Sequence, residues 1–499
     1  MSSYELLLDR VGSQTHLLNF WNDLSDVEKD SLAKQIESID FDDVKKVFEE
    51  SSNVYTASPD NLTPVPSDHH IVYKNLSEKD RNHYWKKGLE AISRGEVAAI
   101  VLAGTIALGL DVAPCDSLLG IQASKIALLE KWLDKSFPSR RSRPESNGTI
   151  ALGLDVAPCD SLLGIQASKI ALTGKLARQE FPESKESARI QWLVMTSQST
   201  EKSTREHLDK VIPAAGLSFE QVTIFSQAEI PAFDNEGNLL LSSKHKVVTA
   251  PNGNGGLYSA LAAHLPEMKR RNVKYFHVYC IDNILCKVAD PHLFGFFIEK
   301  GADVATKTVL KTPGELVGSV CLDCGRPRVT EYSELGAELA EKKTDDGRLL
   351  FCAGSIANHV FSMEFLESFC NASFHLPYHR ASKKIAHVTP DGSVFTPTTP
   401  NGIKLEQFVF DVFEKSKNFY IWEVEREDEF SPLKNAESAG RECLSTCKRD
   451  LAHLNKKWLE SAGAIVKDGP VYIDASLSYC GEGLDRFKDQ VLAGPTVLK

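Results

Sequence analysis

Residues 98–104 read AAIVLAG, a continuous apolar run that ends in glycine. Such a run is typical of a buried parallel strand that leads into a nucleotide-binding loop. Three similar runs follow: QWLVM at 191–195, VTIF at 222–225 and YFHVYC at 275–280. Helix-like segments at 203–211 and 256–269 lie between them. The alternation predicts a doubly wound α/β domain, which binds its ligands at the carboxyl ends of the strands.

The chain on either side of this domain has a different pattern. Residues 1–95 carry apolar side chains near helical spacing, among them Leu17, Leu18 and Phe20, and Ser25 with Glu28 forms a capping-box pattern. We predict an α/β fold with a central Rossmann-like nucleotide-binding domain and a mixed sheet at 96–405. A mostly helical N-terminal domain at 1–95 and a smaller C-terminal domain at 406–499 flank it.

Composition narrows the choice of partners and compartment. The 499-residue chain has a net charge of −11, which argues against a nucleic-acid partner because phosphate backbones are bound by clustered Lys and Arg. The start MSSYELLLDRVGS does not resemble a secretory signal, and no apolar run approaches the ~20 residues that span a bilayer. We therefore expect a cytoplasmic protein with no membrane contact and reduced cysteines. The lone CxxC of Cys321 and Cys324 fits free thiols better than zinc.

The chain contains a letter-perfect internal repeat. Residues 104–128 read GTIALGLDVAPCDSLLGIQASKIAL, and residues 148–172 repeat them without change. A solenoid would show many diverged copies, so two identical copies indicate a recent local duplication or an error in assembling the coding sequence. We expect one copy to take the native position. Residues 129–147 and the other copy then form an extruded insertion, whose Arg140, Arg141 and Arg143 fit a solvated linker better than a localisation patch.

Several further motifs follow in order along the chain. APNGNGGLYSALAAH at 250–264 combines glycines, which let backbone approach a ligand closely, with a helix start, whose free N–H groups suit an anion. VYCIDNIL at 278–285, VTEYSE at 329–334, FCAGSIANH at 351–359, PNGIKLEQFVFD at 400–411 and REDEFSPLKNAES at 426–438 come next. Together they closely resemble the eukaryotic UDP-N-acetylglucosamine (UDP-N-acetylhexosamine) pyrophosphorylase family, from residue 98 to 438 and more loosely to the C-terminus.

The resemblance implies an enzyme and its reaction. Members of this family are nucleotidyltransferases that join UTP and N-acetylglucosamine 1-phosphate into UDP-N-acetylglucosamine and release pyrophosphate, with Mg²⁺ as cofactor. The sugar phosphate attacks the α-phosphorus of UTP in line, so the protein mainly positions the substrates and neutralises their charge. The expected partners are therefore the two substrates, and a monomer or a homodimer is expected.

The motifs also carry the family's nucleotide-binding residues onto this chain. The end of the first strand and one glutamine correspond to the uracil contacts, which are Leu102, Ala103, Gly104 and Gln227. Gly253 corresponds to a nucleotide contact, Asn254 to a sugar contact and Asp282 to the acidic residue near the nucleotide and the metal. The catalytic, phosphate-facing lysines are Lys404 and Lys434.

The N-acetylglucosamine pocket is carried over in the same way. Its residues by resemblance are Gly318, Glu331, Tyr332 and Asn358. Each single assignment has an ordinary alternative: Gln227 as a surface amide, Asn358 as a helix cap, Glu331 as a solvated charge, and both lysines as exposed side chains. The shared order of five blocks favours the functional interpretation. A preference between N-acetylglucosamine and N-acetylgalactosamine is not encoded in a recognisable motif.

The chain departs from the family where its strongest motif belongs. The family has a glycine-rich G-x-G-T-R loop after the first strand and a Pro-Lys-Gly some residues later, which wrap and neutralise the phosphates. Here AIVLAG runs directly into TIALGLDVAP, and the second repeat copy follows SRPESN instead. Losing one charge-stabilising donor typically costs about 10²–10³ in rate, so the chain as written is expected to be nearly inactive.

Three interpretations follow from this departure. The natural enzyme is active and this sequence is a faulty version of it; or the chain is an inactive relative that binds a UDP-sugar or a protein partner; or it is a scaffold with no ligand. The exact repeat beside a clean deletion favours the first. The presence of Asp282, Glu331, Asn358, Lys404 and Lys434 points the same way, because a long-inactive protein is expected to lose pocket residues.

Overall fold

The structure, a computed structural model, describes residues 4–52, 58–104, 161–184, 187–345, 347–371 and 373–499. These residues fold into two compact units. The first takes its residues from Met1–Thr56, Gln227–Ala260 and Ala372–Asp411. The second takes them from Ala57–Ser226, Leu261–Asn371 and Val412–Lys499. Both units are therefore built from segments far apart in sequence, and the division into three consecutive domains stays a prediction.

The second unit is built on one large mixed sheet. Eight of its strands form a continuous row and are numbered along the chain: β1 (His70–Val72), β2 (Val97–Leu102), β3 (Gln191–Thr196), β4 (Val222–Ser226), β5 (Tyr275–Cys280), β6 (Val304–Leu310), β7 (Ala353–Ser362) and β8 (Phe419–Val424). Their spatial order is β1-β8-β6-β7-β5-β2-β3-β4. Neighbours are parallel except at β7, which is antiparallel to both β6 and β5. This arrangement confirms the predicted mixed α/β sheet.

The apolar runs found in the sequence form the centre of this sheet. Every residue of β2 and β3 is buried. Burial on both faces explains why these strands read as continuous apolar runs rather than as alternating patterns. All four strands predicted from such runs, β2, β3, β4 and β5, are present. Because β2, β3, β4 and β5 are parallel, their carboxyl ends meet at one edge of the sheet.

Helices cover the faces of the sheet. The longer ones are α1 (Glu78–Ser93), α2 (Leu162–Glu180), α3 (Glu201–Ala214), α4 (Pro291–Lys300) and α5 (Leu444–Ser461). Helices α1 and α4 cross closely because a glycine stands on each side of the crossing. A Cβ on Gly88 would collide with the main chain of Pro291, and one on Gly295 with the main chain of Tyr84. The crossing fixes the position of Asp290, which caps the N-terminus of α4.

Helix α2 consists largely of the second repeat copy. Ser161 caps it by accepting a hydrogen bond from the Gly164 N–H, and His207 of α3 lies 2.7 Å from the same hydroxyl. The helix is buried on nearly all sides over residues 162–174. The first copy beyond Gly104 and the predicted insertion at 129–147 lie outside the described residues. In the described part of the chain, the native helix position is therefore taken by the second copy.

The first unit joins N-terminal helices to small sheets. Its helices are Tyr4–Val11, Asp26–Ser38 and Phe41–Glu50, and the capping box of Ser25 and Glu28 is confirmed at the start of the second. Strands His379–Lys383, Gly402–Glu406 and Phe233–Asp234 form a three-stranded antiparallel sheet. The helical expectation for Leu17, Leu18 and Phe20 is wrong in detail. This short segment makes two 3-10 turns, Thr15–Leu18 and Trp21–Asp23, that bury its apolar side chains against the unit's own core.

The remaining elements are short. The helices are Leu257–Leu261, Leu265–Arg270, Tyr332–Leu335, Ala337–Ala340, Met363–Phe369 and Arg426–Glu429. The strands are Leu62–Thr63, Glu229–Pro231, Leu241–Ser243, Lys246–Val247, Thr249–Pro251, Ser319–Asp323, Arg326–Thr330, His387–Val388, Val394–Phe395, Ile465–Val466, Val471–Ile473, Val491–Leu492 and Thr496–Leu498. The helix predicted at 256–269 is thus two helices separated by a turn, since Pro266 belongs in a first helical turn. No helix in the described ranges is long and apolar enough to cross a bilayer.

Candidate functional site

The predicted nucleotide residues of the second unit lie at the carboxyl ends of β2 and β5. Leu102 is the last residue of β2 and pairs in register with Cys280 of β5. The Ile281 N–H donates to the Leu102 carbonyl at 3.3 Å, and the Ala103 N–H donates to the Met195 carbonyl at 2.8 Å. These bonds hold Leu102 and Ala103 at the sheet edge, with Leu102 beside the turn that carries Asp282. A ligand at this sheet edge would meet main-chain groups and a carboxylate together.

Asp282 and Lys434 lie on two loops that are bonded to each other. The Leu433 N–H donates to the Asp282 carbonyl at 3.0 Å, and Asn283 forms an antiparallel bridge with Pro432. Burial raises the pKa of the Asp282 carboxyl, and the Lys434 ammonium opposes that shift. The Lys434 N–H is in turn bound to the Glu442 carbonyl at 2.8 Å. The structure therefore brings together the predicted metal-binding carboxylate and one predicted phosphate lysine.

In the first unit, the glycine stretch after residue 251 packs against the backbone of Gln407. The Gln407 N–H donates to the Asn252 carbonyl and the Gly255 N–H to the Gln407 carbonyl, both at 2.8 Å. Gly253 has a φ of +89°, and a Cβ there would lie 2.6 Å from the Gln407 nitrogen. Only glycine fits this combination of left-handed backbone and close approach. The glycine-rich loop that was predicted to bind a ligand is thus held in shape by the main chain of Gln407.

Gln227 is a buried amide with no partner of its own. Its side chain is 1% exposed, yet neither Oε1 nor Nε2 has a hydrogen-bond partner in the described part of the structure. A Cβ on Gly256 would lie 3.0 Å from that Oε1, so glycine keeps the space beside the amide open. A buried amide without a partner costs about 1–3 kcal/mol. A ligand that offers one donor and one acceptor, as the edge of uracil does, would satisfy both atoms.

Two other predicted residues of the first unit are placed by its sheet and loop. The Oδ1 atom of Asn254 accepts a hydrogen bond from the Val409 N–H at 2.8 Å, so its amide N–H groups are what it can offer a sugar. Lys404 lies on the central strand Gly402–Glu406. Burial and then the like charge of Lys383 lower the pKa of Lys404, while the negative charge of Glu406 opposes that shift. Such a lysine favours an anionic ligand.

The predicted sugar-pocket residues gather around β7 in the second unit. A Cβ on Gly318 would lie 2.8 Å from Val329 and 3.2 Å from Oε1 of Glu331, so glycine makes room for that carboxylate. The Ser355 N–H of β7 donates to the Gly318 carbonyl at 2.8 Å. Glu331 and Tyr332 begin the short helix Tyr332–Leu335, with Glu331 as its N-cap. Their roles toward a sugar stay predictions.

Asn358 is held by a histidine that sequence reasoning missed. The Ala289 N–H donates to Nδ1 of His277 at 3.0 Å, which leaves the ring proton on Nε2. Nε2 lies 2.8 Å from Oδ1 of Asn358, so the histidine donates and the amide oxygen accepts. Burial lowers the pKa of His277 to about 4, which keeps the ring neutral. His277 stands in the middle of the apolar run YFHVYC, and its interruption of that run was the available signal.

Sequence reasoning also missed a buried cluster of four charges. It consists of Lys287, Asp290, Lys307 and Glu429, and we call it the charge cluster. Only Glu429 carried a signal, since it belongs to the REDEFSPLKNAES block. Lys307 is fully buried inside β6 and sits between apolar and hydroxyl side chains in sequence. A lysine in such a run ordinarily indicates a strand at the edge of a sheet rather than one in its interior.

The donor set for a metal is small. In the described part of the chain no three His, Cys, Asp or Glu side chains are grouped as metal ligands. Magnesium commonly uses one or two protein carboxylates and completes its shell with water and substrate phosphates. Asp282, at the sheet edge, fits that pattern as a single protein ligand.

Comparison with known proteins shows the family of the chain. Residues 146–479 match the protein family described as UTP--glucose-1-phosphate uridylyltransferase. A Caenorhabditis elegans protein named "Probable UDP-N-acetylglucosamine pyrophosphorylase" is 51% identical, over 98% of this chain and 95% of its own. The UDP-N-acetylglucosamine pyrophosphorylase of Saccharomyces cerevisiae is 36% identical, over 96% and 95%. The crystal structure of the Trypanosoma brucei uridine diphosphate N-acetylglucosamine pyrophosphorylase aligns with a TM-score of 0.76 at 26% identity, over 100% of this chain and 98% of that one.

The fold and these relatives define a nucleotidyltransferase. The resemblance found in the sequence motifs is confirmed. The chain belongs to the UTP–glucose-1-phosphate uridylyltransferase family. The family match begins at residue 146, just before the second repeat copy, and so includes the copy that forms α2.

Proposed function

We propose that this protein forms UDP-N-acetylglucosamine and pyrophosphate from UTP and N-acetylglucosamine 1-phosphate. The observation that carries the proposal is the buried, unpartnered amide of Gln227 beside the glycine stretch that begins at Gly253. Uracil offers the donor and acceptor that this amide lacks. The choice of N-acetylglucosamine 1-phosphate as the second substrate is supported by the names of the worm, yeast and trypanosome relatives.

The residues at each sheet or loop have distinct tasks in this proposal. Backbone groups at Leu102, Ala103 and Gly104 contact the uridine, and Lys404 and Lys434 neutralise phosphate oxygens. Gly318, Glu331, Tyr332 and Asn358 form the pocket for the acetylated sugar. Bound Mg²⁺ would be held by Asp282 and would supply positive charge to the pyrophosphate that leaves. Positioning and charge neutralisation are the main requirements of such a transfer, because the attacking phosphate oxygen is already a nucleophile.

The chain lacks recognisable counterparts of the family's loop arginine and lysine, and this limits the proposed activity. The sequence passes from AIVLAG to TIALGLDVAP without a glycine-rich G-x-G-T-R loop, and residues 105–160 lie outside the described structure. This sequence feature favours a second candidate function, in which the chain is an inactive relative that binds a UDP-sugar or a protein partner without catalysis. In both functions we expect a cytoplasmic protein that is a monomer or a homodimer.

Substitution of Gln227 by methionine tests the carrying observation. The change keeps the shape but removes two unpartnered polar atoms, so Gln227→Met is expected to raise the melting temperature. The same change is expected to weaken UTP binding at least tenfold in calorimetry, because the uracil edge loses both its partners. A variant that binds UTP as tightly as the parent chain would refute this uracil site.

A pyrophosphate-release assay with UTP, Mg²⁺ and N-acetylglucosamine 1-phosphate then separates the two candidate functions. The chain as written is compared with a version that carries a family-type glycine loop after Gly104. Turnover by the repaired version alone would mean that the remaining site is competent. UDP-N-acetylglucosamine binding without turnover by either version would favour the non-catalytic function.

A further inference from the structure

The charge cluster is almost completely buried and contains two positive and two negative side chains. The Lys307 ammonium lies 2.6 Å from the Asp290 carboxylate and also pairs with Glu429. Lys287 pairs with the other oxygen of Glu429 at 3.0 Å. The side chain of Lys307 is 0% exposed and those of Asp290 and Glu429 are 3% exposed. Two ammonium groups thus face two carboxylates with almost no water around them.

Such a cluster is an inefficient way to stabilise a fold. Removing charges from water costs nearly as much as their attraction returns, and apolar side chains of similar size often serve stability as well or better. Lys307 occupies a central position of β6, where its parallel neighbour is Trp422. A requirement for defined geometry, rather than for stability, accounts better for a lysine at that position.

The cluster is bonded to both loops of the sheet edge through one side chain. The Asn283 Nδ2 donates to the main-chain carbonyl of Glu429 at 2.7 Å. The Asn283 Oδ1 accepts from the N–H groups of Ser431 at 3.0 Å and Leu285 at 3.2 Å. Glu429 is therefore held by its carboxylate on one side and joined by its backbone to Asn283 on the other. Asp282 precedes Asn283 directly, and Lys434 follows Glu429 by five residues.

We propose that the charge cluster is a positioning device that sets the placement of Asp282 and Lys434 toward the phosphates of a bound nucleotide. The inference rests on the proposed function, because it assigns those two residues to the phosphates. The ion pairs fix Glu429, Glu429 fixes Asn283, and the bonded loops carry the two functional side chains. The proposal also gives a role to both halves of the REDEFSPLKNAES block. Glu429, the last glutamate of the first half, anchors the loop that carries Lys434 in the second half.

The test uses the full chain and a charge-balanced double variant, Lys307→Met with Glu429→Gln. This pair of changes removes one positive and one negative charge, so the net charge of the cluster stays the same. Lys287 and Asp290, which attract each other electrostatically, both remain. The matched control is Lys87→Met with Glu299→Gln, which removes a partly exposed ion pair of 3.1 Å in the same unit, together with the contact between Glu299 and His83. Affinities for UTP with Mg²⁺ and for uridine, which has no phosphate, are measured by calorimetry and ligand-observed NMR.

The cluster variant is expected to bind UTP about 10- to 100-fold more weakly, the usual cost of removing groups that orient a metal or phosphate ligand. Its uridine affinity and that of the control variant for both ligands should match the parent. Unchanged UTP affinity in the cluster variant would overturn the inference, as would an equal loss for uridine. Failure of the parent chain itself to bind UTP would instead overturn the proposed function and everything that rests on it.

Discussion

The imidazole of His277 and the amide of Asn358 form a donor–acceptor pair at 2.8 Å that fixes which way the amide points. Because Nδ1 of His277 accepts from the Ala289 N–H, its Nε2 can only donate. The amide nitrogen of Asn358 then points toward the thiol of Cys286 at 3.4 Å. The orientation of a predicted sugar contact is thus decided by His277, which is itself fully buried.

Replacing His277 by leucine is expected to release the Asn358 amide and weaken the binding of UDP-N-acetylglucosamine about tenfold, with UTP affinity little changed. His277→Gln, whose amide nitrogen can donate, should recover part of the loss. Calorimetry with both nucleotides measures the effect. Parallel losses for UTP and the nucleotide sugar would contradict a role confined to Asn358.

The second unit is expected to lose stability in mild acid. Burial lowers the pKa values of His207 and His277 to about 4 and that of His359 to about 3. An unfolded histidine takes up a proton near pH 6.5, whereas these folded ones do not. Their stabilising effect is therefore complete above pH 6.5 and falls as the pH drops toward 4, by roughly 2 kcal/mol per histidine at pH 5.

Urea unfolding at pH 7, 6 and 5 measures this loss. The variant His359→Phe should show a shallower pH dependence, because it contributes one proton fewer to the difference between the states. A free energy of unfolding that stays constant from pH 7 to 5 would be inconsistent with three buried neutral histidines.

Gly253→Ala is expected to distort the loop that packs on Gln407 and to abolish measurable uridine binding. Its Cβ would meet the Gln407 main chain, and its positive φ adds a strain of about 1 kcal/mol. Gly12→Ala is the matched control, because Gly12 lies in the same unit with a φ of +54° and open space around its Cβ. Only the Gly253 variant should lose uridine in ligand-observed NMR; loss in both would implicate the unit's stability instead.

Deleting residues 104–147 removes one repeat period and is expected to preserve the fold. Ala103 is then followed by the same amino-acid sequence as before, because residues 148–172 repeat residues 104–128. Helix α2 keeps every residue. The chain between Ala103 and α2 becomes shorter, and a shorter connection costs less closure entropy, so the free energy of unfolding should rise by about 1 kcal/mol. Circular dichroism and thermal unfolding measure the outcome.

Deleting residues 148–172 instead provides the contrasting variant. It keeps the first copy but replaces Thr173, Gly174 and Ala177 of α2, which are buried, by the bulkier residues that follow that copy: Leu129, Glu130 and Leu133. Burying a charge at the Gly174 position should lower stability by several kcal/mol. Equal stability of the two deletion variants would mean that the residues following each repeat copy do not decide which copy forms α2.

The parts of the fold predicted from sequence are those with a local signal. Strands β2 to β5 are apolar runs, and the capping box of Ser25 and Glu28 is a short-range pattern. Strand β6 was missed because Lys307 interrupts its apolar residues, and β7 because Asn358 and His359 give it a polar centre. The first unit was missed because its three segments are brought together only by long-range packing.

The site was predicted through motifs, and motifs name residues rather than their supports. Asp282 and Lys434 were both assigned from sequence, but the side chain of Asn283 that joins their loops was not. A buried charge has no sequence signature until its partner is known, which is why Lys307 and Asp290 went unnoticed. Only the three-dimensional arrangement pairs residues that far apart along the chain.

The crossing of α1 and α4 sets a limit on how this protein can evolve. At Gly88 and Gly295 the atoms nearest to an added methyl group are main-chain atoms of the opposite helix, which no other mutation can shorten. A substitution at either glycine therefore has no second-site suppressor at its point of contact. In a core packed by side chains, a second mutation can make room for a larger residue. At this crossing, a substitution of either glycine is corrected most directly by reversion to glycine.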